Sequence, residues 1–316
     1  MPPLVSVIVP TYERSTLLRQ TVESALAQTF DGIEVIVVED GSDIAARALR
    51  GCDGRVRYHQ QEHRGVSAAR NTAVRLACGE WLAFLDDDDL WDPRKLERQL
   101  ALASRQPDVA MIHTDHLLLV DGELRPGPRL LPRGQVPSGS VSQPLFLGNF
   151  VVHSSVLLRR AVFERLGGFN PRFSIAADYD LWLRVSSQNR IAFLDEPLTI
   201  YREHHSMASA SERATLESAE VLVEFTSANP FIWKECGIPL VRDRLARAHQ
   251  DAAYAAFLSD DYVSARRLYF RAVRWSPWRM APLAYGLVCL AGRTGIGVAR
   301  AVKRWCTCEA DRGRGT

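Results

Sequence analysis

The stretch that decides the fold is residues 81–91, WLAFLDDDDLW, in which five apolar residues run directly into four aspartates. A short apolar run of this length predicts a buried strand over Trp81–Leu85. In open α/β sheets, ligands bind beyond the carboxyl ends of the strands, and that is where the four aspartates would lie. The stretch therefore predicts a sheet with an acidic site at one edge.

The residues around this stretch alternate short β-branched segments with segments of helical period. The other predicted strands are Leu4–Val9, Ile33–Val38 and Arg55–Tyr58. Apolar residues spaced by three and four predict one helix on Leu18, Val22, Ala25 and Leu26, and another on Val66, Ala69, Ala73 and Ala77. This alternation predicts βαβ units and a mostly parallel central sheet flanked by helices.

The second half of the chain changes character twice. Residues 124–144 hold five prolines and three glycines, which predicts a long irregular loop. The elements predicted after it are a strand at Val151–Leu158, helices at Ala161–Leu166 and Tyr179–Ser187, and a strand at Arg190–Leu194. From about Ser211 onward strand patterns disappear, and residues 254–273 resemble a single tetratricopeptide-like helix pair. One such pair cannot form a solenoid, so an all-helical extension covering the first domain is expected.

The composition and charge describe a globular chain with an uneven charge distribution. Of the 316 residues, 47% are hydrophobic and 24% are charged, which excludes a wholly disordered or low-complexity chain. Residues 240–316 carry 14 basic and 6 acidic residues, whereas residues 1–239 carry 25 and 31. The N-terminus shows no secretory signal and no apolar run is long enough to span a bilayer, so we expect a cytoplasmic protein with reduced cysteines.

The basic C-terminal tail has two interpretations. Residues 282–305 place leucines and a terminal tryptophan among arginines and lysines, as in an amphipathic helix lying on an anionic membrane surface. The same pattern suits a helix packed against the rest of the protein with its arginines in water. No nucleic-acid reader motif accompanies the charge, so no nucleic-acid partner is expected.

Four adjacent carboxylates repel one another unless a cation or protons offset the charge. Oxygen ligands favour a hard divalent ion, Mg²⁺ or Mn²⁺, which commonly keeps waters and bridges substrate phosphates. The alternative is that Asp89 and Asp92 cap the helix that starts near Pro93. A cap explains Asp92 well but explains four aspartates in a row poorly, so we expect a metal site.

Two further strands end in polar residues at the same predicted edge. The first ends in residues 9–14, VPTYER, and the second in residues 38–43, VEDGSD. A carboxylate there can accept an N–H from a nucleobase edge, and the ring of Tyr12 can stack on the base. The alternative is turn chemistry, with a turn at Asp40-Gly41 and Asp43 as a helix cap. Together with the four aspartates, these ends predict one crevice for a nucleoside diphosphate.

Four ordered segments resemble the family 2 glycosyltransferases of the GT-A fold: residues 6–12 (SVIVPTY), 37–42 (VVEDGS), 65–71 (GVSAARN) and 84–89 (FLDDDD). The resemblance covers residues 4–205 and implies a Rossmann-like GT-A domain over 1–209, with a nucleotide-sugar half at 1–120 and an acceptor half at 145–209. Residues 210–316 would be the helical extension. The implied reaction is inverting transfer of a sugar from a nucleotide-sugar donor to an acceptor hydroxyl, in polysaccharide, cell-envelope or glycolipid biosynthesis. UDP is the nucleotide that the resemblance favours, with dTDP and GDP open.

The resemblance also implies roles for individual residues. The implied nucleotide-binding residues are Pro10, Tyr12, Asp40, Arg70 and Asp87. The implied ligands of Mn²⁺ or Mg²⁺ are Asp86 and Asp88 of an Asp-x-Asp motif, with His204 as a third. The ion would act as a Lewis acid on the departing diphosphate. For His204 the alternative is a structural or solvated histidine beyond a strand.

The resemblance places the catalytic base in residues 167–184, GGFNPRFSIAADYDLWLR. Family members often carry Glu-Asp before this helix, whereas this chain has Ala177-Asp178, so Asp178 is the implied base. Asp180 competes with it, and its spacing fits a solvent contact at the helix start. His153 either faces the acceptor or satisfies a hydrogen bond in the core, and we favour the second interpretation.

Two other function classes remain open. The absent glutamate at Ala177 is compatible with an inactive scaffold that binds nucleotide-sugars. A nucleotidyltransferase also combines an α/β sheet, carboxylates and a metal, but it would release pyrophosphate. The expected partners are a nucleotide-sugar donor and a saccharide or lipid-linked acceptor, and the membrane interpretation of the tail would place the protein on the inner face of the cell membrane.

Overall fold

The computed structural model describes residues 3–14, 16–131, 134–203 and 211–290. The chain divides into two compact units, Met1–Met207 and Ala208–Thr316. His204 and residues 291–316, which include most of the basic tail, lie outside the described residues.

The first unit is built on one mixed sheet. Its described strands are β1 (Val5–Thr11), β2 (Ile33–Asp40), β3 (Val56–Gln61), β4 (Trp81–Phe84), β5 (Leu90–Trp91), β6 (Val109–Val120), β7 (Glu123–Pro126), β8 (Leu157–Arg159) and β9 (Arg190–Arg202). Its helices are α1 (Thr16–Leu26), α2 (Ile44–Ala48), α3 (Val66–Leu76), α4 (Lys95–Arg105), α5 (Ser142–Leu147), α6 (Arg160–Arg165) and α7 (Ala177–Ser186). A single 3₁₀ turn covers His153–Ser155.

The strand order is β3-β2-β1-β4-β8-β6-β9-β5, with β7 paired to β6. The first four strands are mutually parallel, β8 runs antiparallel between β4 and β6, and β6 is parallel to β9. The predicted α/β fold, with a mostly parallel sheet flanked by helices, is therefore confirmed. The strands that precede the acidic run all end at the same edge.

The centre of the sheet is buried on both faces. Every residue of β1 and β2 is buried, as expected for parallel strands covered by helices on each side. Leu18, Val22 and Ala25 of α1 pack against the valines of β1, as their spacing predicted. Helix α3 packs against β1 and β2. These two helices hold the loops at the strand ends, where the site lies.

The strand predicted at Val151–Leu158 is mostly wrong. Its middle forms the 3₁₀ turn, and only Leu157–Arg159 joins the sheet. The cause is side-chain bonding, because the hydroxyl of Ser155 donates to the backbone oxygen of Val152 at 2.7 Å. Serine side chains that bond to nearby backbone groups compete with a sheet ladder.

The irregular loop predicted at residues 124–144 contains regular structure in its described parts. It begins as β7 in a hairpin with β6 and ends in the first turn of α5. Between them, Gly139 exchanges two backbone hydrogen bonds with Ile191 of β9, at 2.6 and 3.0 Å. The predicted strand at Arg190–Leu194 is correspondingly longer, since β9 continues to Arg202.

The second unit is helical throughout its described residues, as predicted. Its helices are α8 (Glu212–Ala228), α9 (Phe231–Cys236), α10 (Ile238–Leu258), α11 (Tyr262–Trp275) and α12 (Met280–Leu290). Helices α10 and α11 form the predicted hairpin, with Ala252, Ala256 and Leu268 in its core. Tyr269 stacks on Tyr285 of α12 at a centroid distance of 5.5 Å, so a third helix covers the pair. None of the helices in the described part of the chain is both long and apolar enough to cross a bilayer.

Candidate active site

The four aspartates after β4 do not share one environment. Asp86 accepts a hydrogen bond from Nη2 of Arg70 at 2.6 Å, and Asp88 is paired with the guanidinium of Arg14. Burial acts to raise the pKa of Asp86, but Arg70 holds it below its usual value. Both carboxylates keep part of their side chains exposed, about 30% for Asp86 and 18% for Asp88. They form the open side of the acidic run.

The other two aspartates are turned into the protein. Asp87 accepts from the hydroxyl of Thr11 at 2.6 Å and from Arg14 at 3.1 Å, and burial raises its pKa to about 6. Asp89 accepts from the hydroxyl of Ser154 and from the backbone N–H of Arg202, the latter at 3.1 Å. Burial raises the pKa of Asp89 well above its usual value. Mutual repulsion is thus offset by two arginines on the open side and by pKa shifts on the buried side.

The helix-cap interpretation separates Asp89 from Asp92. For Asp89 it is wrong, because its carboxylate ties the acidic run to Ser154 and to the end of β9. Asp92 does prepare the start of α4: its carboxylate accepts from the backbone N–H of Arg94 at 2.9 Å, and its carbonyl accepts from that of Lys95 at 3.0 Å.

The ends of β1 and β2 lie side by side, with Pro10 in register with Val38. Tyr12 is 47% exposed, and its ring centroid lies 4.7 Å from that of His63. The buried carboxylate of Asp40 accepts from Gln61 at 2.7 Å and from the backbone N–H groups of the loop that leads into α3. Asp40 therefore holds this loop in place, and its predicted role with a nucleobase stays a prediction.

The helix cap considered at Asp43 as the alternative interpretation is made by another residue. The Asp43 side chain makes no capping hydrogen bond, whereas the carboxylate of Glu39 accepts from the backbone N–H groups of Ile44 and Ala45 at 3.0 and 3.1 Å. Glu39 also accepts from the hydroxyl of Tyr58 at 2.7 Å. Glu39 lies four residues before the usual capping position, Asp43, so no local sequence pattern indicates that it caps the helix.

Helix α3 carries the polar residues that join the acidic run to the second half of the unit. Ser67 donates to the carbonyl of Phe173 at 2.6 Å. Asn71 both donates to the carbonyl of Phe169 and accepts from its N–H, at 2.8 and 3.0 Å. Arg70, between them in sequence, reaches Asp86 and lies 5.4 Å over the ring of Phe169. One helical face thus positions the acids and the segment before α7 together.

Asp178 lies in the first turn of α7, close to the same arginine. Burial raises its pKa to about 6, while the charges of Arg70 and Asp86 act on it in opposite directions. One carboxylate oxygen accepts from the backbone N–H of Tyr179 at 2.7 Å. Its neighbour Ala177, at the position of the absent glutamate, is completely buried. Asp178, Arg70 and Asp86 are therefore brought together, and the catalytic role of Asp178 stays a prediction.

Asp180 is not the solvent contact that its spacing suggested. It is 8% exposed and accepts two hydrogen bonds from Arg184, at 3.0 and 2.6 Å. Arg184 also donates to the carbonyls of Leu166 and Gly168, at 2.9 and 2.8 Å. This ion pair anchors the Gly167-Gly168 turn to α7, which gives Asp180 a structural part.

The ring of His153 makes no hydrogen bond within the described part of the chain, so the interpretation of this residue as a hydrogen-bonded core histidine is wrong. Its ring packs among Phe84, Phe169 and Trp182, with centroids 5.3 to 5.9 Å away. Neither ring nitrogen has a hydrogen-bond partner among the described residues, and Nε2 lies 3.7 Å from Asp86. Burial lowers the pKa of His153 to about 3.

The open side of the acidic run fits a hard divalent cation. Asp86 and Asp88 offer partly exposed carboxylate oxygens, and Mg²⁺ is commonly held by one or two carboxylates with water and substrate phosphates. Within the described ranges, no three His, Cys, Asp or Glu side chains are arranged as a complete metal site. His204, the expected third ligand, is outside those ranges. The metal set stays a prediction.

Sequence reasoning missed three residues that shape this site. Arg14 was seen only as part of the first strand end, yet it bridges Asp87 and Asp88. Thr11 bonds to Asp87, and Ser154 bonds to Asp89 and accepts from the backbone N–H of Asp86 at 3.1 Å. The usable signal was that Thr11 is the last residue of β1 and that Arg14 follows three residues later, so both lie at the strand end that borders the crevice.

Comparison with known proteins identifies the family and the fold of this chain. Residues 6–167 match the sequence model of glycosyl transferase family 2. A glycosyltransferase of Rickettsia felis is 31% identical over 212 residues, which are 65% of this chain and 35% of that relative. This chain thus spans about a third of the relative's length.

Two solved structures share the fold at low sequence identity. Residues 1–349 of TarS from S. aureus, solved in complex with UDP, align with a TM-score of 0.66 and 17% identity over 92% of this chain and 89% of that one. The mannosyltransferase PcManGT from Pyrobaculum calidifontis, in complex with GDP-Man and Mn²⁺, aligns with a TM-score of 0.55 and 20% identity over 92% and 87%. With the family match over residues 6–167, the conclusion is that this chain belongs to glycosyl transferase family 2.

Proposed function

We propose that the chain transfers a sugar, with inversion, from a nucleotide-diphosphate sugar to an acceptor hydroxyl. The observation that carries this proposal is the convergence of Asp86, Arg70 and Asp178, which come from three separate segments. An acidic run at the end of a parallel strand suits the donor diphosphate, and a carboxyl beside it suits proton removal from the acceptor.

The donor is proposed to be a UDP-sugar. Tyr12 would stack on the base beside Pro10 and Asp40, and Arg14, Arg70 and Asp87 would lie around the diphosphate. Guanidinium groups bind phosphate oxygens with two parallel hydrogen bonds, and both arginines already meet carboxylates of the acidic run. TarS was solved with UDP and PcManGT with GDP-Man, which supports a nucleotide-sugar and leaves GDP as the second choice.

Mn²⁺ or Mg²⁺ is the proposed cofactor, held by Asp86 and Asp88, with His204 as the proposed third ligand. When bound, such an ion supplies Lewis-acid stabilisation of the charge on the departing diphosphate. The presence of Mn²⁺ in the PcManGT complex supports this choice.

Asp178 is proposed to take the proton of the attacking hydroxyl. A carboxyl whose pKa is raised to about 6 is a stronger base than an ordinary aspartate and is still ionised at neutral pH. Attack from the side opposite the departing diphosphate inverts the sugar carbon. Asp180 is held by Arg184 and is unsuited to this task.

The proposed domain organisation is the one that the sequence predicts. Residues 1–209 would be the catalytic domain and residues 210–316 a helical extension, with polysaccharide, cell-envelope or glycolipid synthesis as the setting. The basic residues from Arg293 onward would attach the protein to anionic lipid on the inner face of the cell membrane. Co-sedimentation with anionic vesicles tests the attachment, and equal binding of the full chain and a variant ending at Leu290 would exclude it.

Calorimetry with UDP and Mn²⁺, followed by product analysis with UDP-sugars, tests the function. Asp88→Ala should lose Mn²⁺-dependent nucleotide binding, because it removes one of two exposed carboxylates. Asp92→Ala is the matched control, since the carboxylate of this aspartate bonds to Arg94 in the turn before α4. Release of pyrophosphate rather than UDP would indicate a nucleotidyltransferase, and nucleotide binding without any turnover would indicate a scaffold.

A further inference from the structure

A second cavity, of about 420 Å³, lies beside β6, outside the acidic run. Its volume is within the range of about 300–1,000 Å³ that is usual for small-molecule pockets. Its walls combine polar side chains and two aromatic rings with aliphatic residues: Asp115, Arg129, Asn149, Phe150 and Phe193, together with Pro128, Leu130, Leu131, Val136, Val151 and Val152. We call it the β6 cavity.

The polar wall of the β6 cavity is held in a defined geometry. Arg129 donates to Asp115, and to Asp195 at 3.1 Å, so two carboxylates fix its guanidinium. Nη1 of Arg129 is buried and has no partner among the described residues. A buried donor without a partner is costly unless a ligand or water satisfies it. The orientation of the guanidinium is thus fixed, and its Nη1 is available as a hydrogen-bond donor to a ligand.

The backbone around the β6 cavity also helps to define its shape. The pairing of β6 with β9 shifts register on both sides of Asp115, and such bulges redirect side chains. Gly127 crosses so close to His116 that a Cβ would lie 2.2 Å from its Nε2, and Gly148 lies equally close to Leu130. Glycine at these two points lets the segment carrying Arg129 close over the cavity.

The chemistry of the lining favours an uncharged sugar ring. Two carboxylates around one guanidinium leave a net negative charge, which disfavours an anionic ligand. Asp115 offers acceptors, Arg129 a donor and Asn149 an amide, which suits neighbouring hydroxyl groups. Phe150 and Phe193 offer apolar faces for the C–H side of a sugar ring. We infer that the β6 cavity binds an uncharged sugar residue of the acceptor.

The position of the β6 cavity suits an acceptor subsite. Residues 149–152 form one of its walls, and the chain continues directly into His153, whose Nε2 lies 3.7 Å from Asp86. A saccharide held in the β6 cavity therefore lies along the same segment as the donor site. This inference rests on the proposed glycosyl transfer.

Saturation-transfer NMR on the full chain tests the inference. The probes are the methyl glycosides of glucose, galactose and N-acetylglucosamine, with glucuronate as the charged probe. At least one uncharged probe should bind, with affinity weakened about tenfold by Arg129→Ala, which removes the free donor. Val136→Trp should abolish binding by filling the cavity that Val136 lines.

Arg125→Ala is the matched control, because Arg125 lies on the same segment and forms an exposed ion pair with Glu123. It should bind as the wild type does, and melting temperatures show whether each variant is folded. The inference would be overturned if none of the uncharged probes bound, or if glucuronate bound more tightly than they did. It would also be overturned if folded Val136→Trp bound the probes as the wild type does. Calorimetry with UDP and Mn²⁺ on the same samples separates the two proposals. If the nucleotide binds but no sugar does, only the proposed role of the β6 cavity is rejected. If a sugar binds but the nucleotide does not, only the proposed donor is rejected.

Discussion

Two aspartates only two residues apart in α7 have opposite surroundings. The charges of Arg70 and Asp86 act on Asp178, whereas Asp180 is held by Arg184. We expect Asp178→Asn to keep nucleotide affinity but to lose transfer about 100-fold or more, because the amide cannot accept the proton. Isothermal calorimetry and initial rates on one preparation measure both quantities.

Asp180→Asn serves as the control for that substitution. It weakens a partly buried ion pair, so it should lower the free energy of unfolding by about 1–3 kcal/mol. The rate per folded molecule should change far less than in Asp178→Asn. If Asp180→Asn instead abolishes turnover in a folded protein, the base has been assigned to the wrong carboxyl.

The pH dependence of the rate follows from the same carboxyl. A base works when it is deprotonated, so a pKa of about 6 for Asp178 predicts a rate that is low at acidic pH and rises through this value to a plateau. The direction is set by burial, which favours the neutral form and moves the rise above that of an ordinary aspartate. A rate profile on the full chain with saturating donor checks this, and a plateau extending down to pH 4 would contradict it.

At the scale of elements, the turn before α7 offers a matched pair of glycines. Both Gly167 and Gly168 have positive φ, at 79° and 74°. A Cβ on Gly167 would meet open space, whereas one on Gly168 would lie 2.7 Å from Oδ1 of Asn71. That oxygen is already held by the backbone N–H of Phe169, so it cannot easily move away.

We therefore expect Gly168→Ala to be the more destabilising substitution. Gly167→Ala should cost about 1 kcal/mol for the backbone conformation alone. Gly168→Ala should cost about 1–3 kcal/mol more, because overpacking is added. Urea unfolding of both variants measures the difference, and equal costs would mean that Asn71 does not lock this turn.

The elements also show where prediction from the sequence succeeds. Strands β1 and β2 are buried over their whole length, so a short β-branched run was sufficient evidence for each, although Ser6 interrupts the first and Glu34 the second. The local bond of Ser155 was only part of what holds the 3₁₀ turn at His153–Ser155. The neighbouring Ser154 also accepts from the backbone N–H of Asp86 and donates to Asp89, and these partners are too far away in sequence to be predicted. The order at residues 134–141 likewise depends on pairing with β9.

The candidate site follows the same division. That the acids and the ends of β1 and β2 converge follows from parallel topology, which an alternating pattern of strands and helices predicts. Which aspartate faces the cleft was hidden, since it depends on Thr11, Arg14 and Ser154 as partners. Local sequence locates a strand end, whereas tertiary contacts decide the direction of each side chain there.

At the scale of the whole molecule, the site residues named above all lie in the first compact unit, Met1–Met207. This unit has its own core, built around the valines of β1 and helix α1. We expect residues 1–207 to fold alone and to bind UDP with Mn²⁺ as tightly as the full chain does. Circular dichroism and calorimetry on both proteins check this, and an unfolded fragment would show that the helical unit is needed for stability.

The pairing of Arg14 with Asp88 and of Arg70 with Asp86 has a consequence for how substrates enter. At rest, the acidic run carries its own counter-ions. A diphosphate that binds the two guanidinium groups would remove them from the carboxylates of Asp86 and Asp88. The negative charge of these carboxylates would then no longer be compensated, and it would attract a cation. The bound donor and cation would thus replace the two ion pairs within the protein. Each would therefore tighten the binding of the other by the same factor.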